Sequence, residues 1–235
     1  MSPLLAKELC EAALLVDDSK DIRALILTGS GKMFCAGGDL GEFVKAGDKA
    51  RGLLMQMTAD LHVGLSRLAR SRVPVIAAVN GTAAGAGFSL VMACDLAIAA
   101  DSAVFTMAYT AAGLSPDGSS TFYMPRKIGD RRTRELMLTN RLLKAPEAQE
   151  WGVVNSVVPA ADLLDEAQKL AGKLAQGPTE AYGQVKSLLN SSFDQTLESQ
   201  MELEARAISG LAMTRDGQEG MNAFVEKRKP KFTGE

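Results

Sequence analysis

Two turns of small residues are the parts of this chain best suited to chemistry. The stretch Asn80-Gly-Thr-Ala-Ala-Gly-Ala-Gly-Phe-Ser-Leu90 follows an apolar run, Val75 to Val79, and leads into Phe88 to Ala93. This order reads as a buried strand, a turn and a buried helix. Gly85 and Gly87 permit backbone angles that larger residues resist, so bare backbone can approach a ligand. The first N–H groups of a helix have no intrahelical acceptor, and the helix dipole adds partial positive charge there. Such a turn is suited to an oxyanion, although close packing of helix on strand is the commoner explanation of an isolated one. A second stretch, Phe34-Cys-Ala-Gly-Gly-Asp-Leu40, also follows a strand-like run, Ala24 to Leu27. Two such turns together can aim two N–H groups at one oxygen.

The elements that must position these turns follow in order. Ser2-Pro3 is a helix start, a cap followed by proline in the first turn. Leu5, Leu9, Ala12, Ala13 and Val16 continue at helical spacing. Asp21 to Thr28 reads as a strand. Asp39 with Glu42 reads as a helix-capping pair rather than as a catalytic carboxylate. Gly47 to Gly52 is expected to be mobile, and Leu53 to Leu68 to be helical. His62 falls within that helix and reads as a surface or packing residue. Cys94 to Ala100 and Val104 to Thr106 are strand-like. Tyr109 to Ser120, rich in Gly, Ser and Ala, reads as a loop lining a cleft. Helices are expected from about Ser120 and from Asp130 to Thr139. Leu142 to Lys144 reads as a strand end entering a short helix, and Val153 to Val158 as the last strand. Strands alternating with helices argue for α/β layering. From Asp162 the chain turns helical, with candidates at Asp162 to Gln176, Thr179 to Asn190, Thr196 to Gly210 and Gln218 to Lys227, and with no strand to cover.

Composition narrows the function classes. Apolar residues make up 46% of the chain and charged residues 23%, as in a globular domain. The formal net charge of −2 gives no reason to expect nucleic acid or an acidic membrane as a partner. No apolar run reaches the length of a membrane span, and no basic segment precedes an apolar one at the N-terminus. Cys10, Cys35 and Cys94 are few and widely spaced, which suits free thiols in the cytoplasm and neither a disulfide framework nor a zinc site. With one histidine, a multi-histidine metal site is excluded and a Ser-His-Asp triad would have to run through His62.

The two turns do not stand alone. Phe34 to Leu40, Pro74 to Gly81, Gly85-Ala-Gly87, Ala93-Cys-Asp95, Gly113-Leu-Ser-Pro-Asp117 and Asp216-Gly-Gln-Glu-Gly220 lie in an order that resembles the crotonase superfamily, also called the enoyl-CoA hydratase/isomerase family. The resemblance spans nearly the whole chain. It implies an α/β fold, a superhelix of ββα turns over residues 1–160, then a C-terminal helical trimerisation region over 161–235. The expected assembly is a homotrimer or a dimer of trimers. Members usually begin with two strands ending in an Asn-Ala-hydrophobic motif. Here Met1-Ser-Pro begins where the hydrophobic residue of that motif falls, so the first strand pair is expected to be missing, through a truncated gene call or an internal start. That segment helps line the coenzyme A cleft.

The resemblance further implies acyl-coenzyme A thioester substrates, with coenzyme A as part of the substrate and no separate cofactor or metal. By position the oxyanion donors are the N–H groups of Ala36 and Ala86. Cys35, Gly38, Asp39, Leu40, Gly85 and Tyr109 are expected around the substrate. Phe224 and Lys227 match positions that meet the nucleotide end of coenzyme A, often in a neighbouring subunit. Hydratases of the family use two glutamates, and the matching positions here are Ser89 and Tyr109, neither a carboxylate. Asp117 remains, where several family isomerases carry an aspartate; its other reading is a turn or a helix cap. A double-bond shift needs only one shuttling base, because no water has to be activated. The reading is an enoyl-CoA isomerase with Asp117 as its base. Other crotonase chemistry, including attack by Asp117 on the substrate as in family dehalogenases, and a silent thioester-binding protein are the alternatives.

Overall fold

A computed structural model describes all 235 residues. Helix α1 (Pro3–Asp18) opens the chain. Ser2 caps it, its Oγ accepting the Leu5 N–H at 3.2 Å. Its buried face runs through Ala6, Ala13 and Val16, while Leu5 and Ala12 point outward. Then come β1 (Leu25–Thr28), β2 (Met33–Cys35), α2 (Leu40–Ala46) and α3 (Ala50–Arg70). The segment expected to be mobile is instead a single 3-10 turn at Gly47–Lys49 running straight into α3. The next two turns of chain are β3 (Val75–Val79), β4 (Thr82–Ala84) and α4 (Ala86–Ala93), then β5 (Leu96–Ala100), β6 (Val104–Thr106), α5 (Ser120–Ile128) and α6 (Asp130–Thr139). The last strands, β7 (Leu143–Lys144) and β8 (Ser156–Val158), flank α7 (Ala145–Trp151). Helices α8 (Leu163–Ala175), α9 (Thr179–Ser191), α10 (Leu197–Leu211) and α11 (Arg215–Val225) finish the chain.

Strands β1 to β6 alternate between two sheets, so each ββα turn adds one strand to each; β7 then joins the second sheet and β8 the first. The first sheet has the order β1-β3-β5-β8 and is wholly parallel; the second is β2-β4-β6-β7, antiparallel only at β7. A parallel sheet needs cover on both faces. Every residue of β3 is buried, and Val75, Ala77 and Val79 share the main core with Phe88, Val91 and Leu65. On the other face Ala78, Ile98 and Ala100 meet Leu163 and Ala167 of α8. The helical C-terminal block therefore does have a sheet to cover. Its apolar positions four residues apart are the stripe that does so.

Short strands account for the main departure from the expected elements. The turn at Gly85 does not follow β3 directly, since β4 intervenes, and the turn at Ala36 follows β2 rather than β1. Both are three-residue strands set directly against the small-residue turns, which hides them in the sequence. The last helix ends at Val225, so Lys227 lies beyond it, in a turn with φ +55°.

Candidate active site

Asn80 is the clip that brings the two turns together. At the end of β3, its Oδ1 accepts the Gly29 N–H at 3.0 Å and its Nδ2 donates to Gly31 O at 3.0 Å. Gly81 follows because a Cβ there would stand 2.1 Å from Lys32 O. The turns then meet backbone to backbone. A Cβ on Gly87 would lie 2.2 Å from Cys35 O, and one on Gly37 would lie 3.0 Å from Ala84 O. Gly85 itself has φ +51° and ψ −123°, a conformation closed to residues with a Cβ.

This contact puts Ala36 and Ala86 on one wall of a cleft of about 270 Å³. Ala86 is the first residue of α4, so its N–H has no acceptor within the helix. The opposite walls are apolar: Leu40 and Phe43 of α2, Leu54, Met57 and Leu61 of α3, and Leu114 of the long loop. Asp117 supplies the only carboxyl side chain in the lining. In a site this apolar, a backbone N–H acts on a nascent negative oxygen far more strongly than it would in water.

Asp117 caps no helix. Ser119 occupies the N-cap of α5 without a side-chain bond, and the Asp117 carboxylate turns instead to Tyr109, whose O–H donates to Oδ1 at 2.5 Å. Ser89, fully buried on α4, stands 3.0 Å from the same phenol oxygen. Burial first, then the neighbouring Asp117 charge, hold the Tyr109 phenol far above its ordinary pKa. It stays a neutral donor across the working pH range, and Oδ2 of Asp117 takes no hydrogen bond from the protein. Ser89, Tyr109 and Asp117 thus form a chain ending on one free carboxylate oxygen. Tyr109 is aimed by an unusual turn: Ala108 has φ +53°, and the Tyr109 N–H closes on Met107 O at 2.6 Å.

A sequence model of the Enoyl-CoA hydratase/isomerase family matches residues 1–235. The chain belongs to that family. It is 41% identical to the 1,2-epoxyphenylacetyl-CoA isomerase of Escherichia coli (strain K12) over 97% of this chain and 87% of the relative. It is 38% identical to 4-chlorobenzoyl coenzyme A dehalogenase-2 of an Arthrobacter species, over 88% of this chain and 75% of the relative. Among solved structures, an enoyl-CoA hydratase from Polaromonas sp. JS666 superposes with a TM-score of 0.93 at 35% identity, covering 99% of this chain and 90% of that one. The crotonase fold of the enoyl-CoA hydratase/isomerase family is thereby established for this chain, as is a family chemistry on CoA thioesters.

Of the residues singled out for an enoyl-CoA hydratase/isomerase site, Ala36, Gly38, Leu40, Gly85, Ala86, Tyr109 and Asp117 line the cleft. Cys35, Asp39, Phe224 and Lys227 do not. The Cys35 carbonyl packs under Gly87, and Asp39 caps α2 by accepting the Glu42 N–H at 3.2 Å. Phe224 is 86% exposed on α11. Sequence reasoning missed Phe43, Met57 and Leu61, which form the apolar wall. It also missed the role of His62, whose Nε2 accepts the Gly118 N–H at 3.2 Å beside Asp117. The apolar wall had a signal in the helical spacing of Leu54, Met57 and Leu61; the histidine contact had none.

Proposed function

We propose that the protein is an enoyl-CoA isomerase. Asp117 takes a proton from the α-carbon of a 3-enoyl thioester and returns it to the γ-carbon, leaving the conjugated 2-enoyl thioester. Between the two steps, the N–H groups of Ala36 and Ala86 hold the dienolate oxygen. The observation that carries this reading is the single carboxylate of an apolar cleft, fixed through one oxygen by a neutral phenol and open at the other. A one-base proton shuttle needs this and no more. Water addition needs a second group to activate the water, and the two matching positions are a serine and a tyrosine. The apolar lining favours a hydrocarbon acyl chain, and no cofactor beyond the coenzyme A of the substrate is required.

Asp117 as a nucleophile is the second reading. It is favoured by the unbonded Oδ2 and by the dehalogenase name of a 38% identical relative. A homotrimer or dimer of trimers is proposed for the assembly. Exposed Leu197, Met201 and Ile208 on α10, and Phe224 and Val225 on α11, are apolar surface that neighbouring subunits would cover. No helix is long and apolar enough to cross a membrane, and we take the working compartment to be the cytoplasm. The test is an absorbance assay for conjugation, giving a 3-enoyl-CoA to wild type and to Asp117→Asn. Turnover in the first and its loss in the second is expected. Absence of conjugation in assembled wild-type protein, or its survival in the variant, overturns the reading. Chloride release from a 4-chloroaroyl-CoA would point to the nucleophile instead.

A further inference from the structure

The only histidine of the chain takes no part in the chemistry above. His62 stands on α3, exposed on one side in a shallow groove with Asp17 of α1 and Arg67 and Arg70 of its own helix. On its other side, Nε2 accepts the N–H of Gly118 at 3.2 Å. That N–H belongs to the peptide unit immediately after Asp117. The carbonyl of the same unit accepts from Ser120, from Oγ at 2.9 Å and from the N–H at 3.3 Å. The peptide is therefore pinned at both ends while Tyr109 holds the side chain. The chain is bare at this point for a reason: Gly118 has φ +60°, and a Cβ there would stand 2.9 Å from the Ser89 Cβ.

We propose that His62 is a positioning residue for Asp117, fixing through the Gly118 N–H the loop that aims the carboxylate into the cleft. The contact uses a lone pair on Nε2, which the imidazole offers when its proton sits on Nδ1. The surrounding charges are of both signs: Asp17, Arg67 and Arg70 in the groove, and Asp117 in the loop itself. The kinetic consequence rests on the reading of Asp117 as the base; the loop anchoring does not.

His62→Ala removes the acceptor, and His62→Gln offers a carbonyl oxygen in its place. Two readouts separate this idea from the assigned function. The first is amide exchange over residues 115–120, followed by mass spectrometry on wild type and both variants. Exchange in the Ala variant is expected to be roughly three- to tenfold faster, with the Gln variant close to wild type. Equal exchange in all three overturns the proposal whatever the protein catalyses. The second is conjugation kinetics. The Ala variant is expected to lose roughly three- to tenfold in kcat with KM nearly unchanged, and Gln to restore it. Unchanged kcat in the Ala variant, alongside an inactive Asp117→Asn, also overturns it. So does an equal loss in both variants with lowered melting temperatures, which would make His62 a packing residue. Failure of wild type to conjugate would refute the isomerase assignment alone, since the exchange result still decides the anchoring.

Discussion

Gly85→Ala separates backbone strain from crowding at the oxyanion turn. A Cβ at Gly85 would meet nothing closer than Gly37 Cα at 3.5 Å, with Met107 O at 3.7 Å and Tyr109 Cζ at 3.9 Å. Those are ordinary contacts, so space is not the obstacle. The obstacle is φ +51° with ψ −123°, where an L-residue is strained by about 1–3 kcal/mol. At about 2 kcal/mol, a domain of this size melts roughly 4–8 °C lower. The chain has one local escape, rotating the 85–86 peptide. That rotation turns the Ala86 N–H away from the cleft and removes one oxyanion donor, a loss on the order of 10² in kcat. Gly47→Ala is the control. Its φ is +51° and ψ −125° with nothing within 4 Å of a Cβ, and it lies outside the cleft lining, so it should lose melting temperature without losing kcat at constant KM. Gly85→Ala with wild-type melting and wild-type turnover would refute the reasoning. Equal turnover loss in Gly47→Ala would also refute it, because the effect would then not be local to the hole.

Two further outcomes follow from buried polar chemistry. Burial, the largest cause, pushes the Cys94 thiol up to about 12 from its usual value near 9. In the native protein a maleimide at pH 8 should label Cys10 and Cys35 and spare Cys94, and labelling of all three at equal rates would contradict its burial. The sign of the stability effect is fixed. The folded thiol keeps its proton where the unfolded one releases it, so this group's contribution is complete below about pH 9. It is lost as pH rises from there toward 12, by about 1.4 kcal/mol per unit. Lys186→Met tests the seam between α9 and the sheet. The Lys186 ammonium, 7% exposed, donates to Leu68 O at 2.9 Å and Val73 O at 2.7 Å and pairs with Asp95 at 2.8 Å. Removing one partner of such a group costs about 3–5 kcal/mol, so a melting temperature within a degree of wild type would show that the pair is not formed.

What the sequence made legible divides along a physical line. Constraints that act within a few residues were readable. The glycine at 85, the Ser2 cap and the Asp39 cap are demanded by local backbone geometry, and the structure has each of them where the residue types place it. Strands β2 and β4 were not read, because Met33-Phe-Cys35 and Thr82-Ala-Ala84 sit directly among the glycines and alanines of the two turns and their pairing is set by partners elsewhere in the chain. The cover that α8 gives the sheet was missed for a related reason. The stripe of Leu163, Ala167 and Leu170 was visible, but the face it fills exists only once β1, β3 and β5 are side by side. The site repeats this division. The oxyanion turns are local, and the family resemblance assigned the N–H groups of Ala36 and Ala86 to them by position. The orientation of Asp117 is not local. It depends on Tyr109 eight residues away, on Ser89, and on a histidine one helix and four strands earlier in the chain. A carboxylate between proline and glycine is by itself only a turn residue. It becomes a candidate base because remote side chains deny it the helix cap, leave one oxygen free and hold the peptide behind it still.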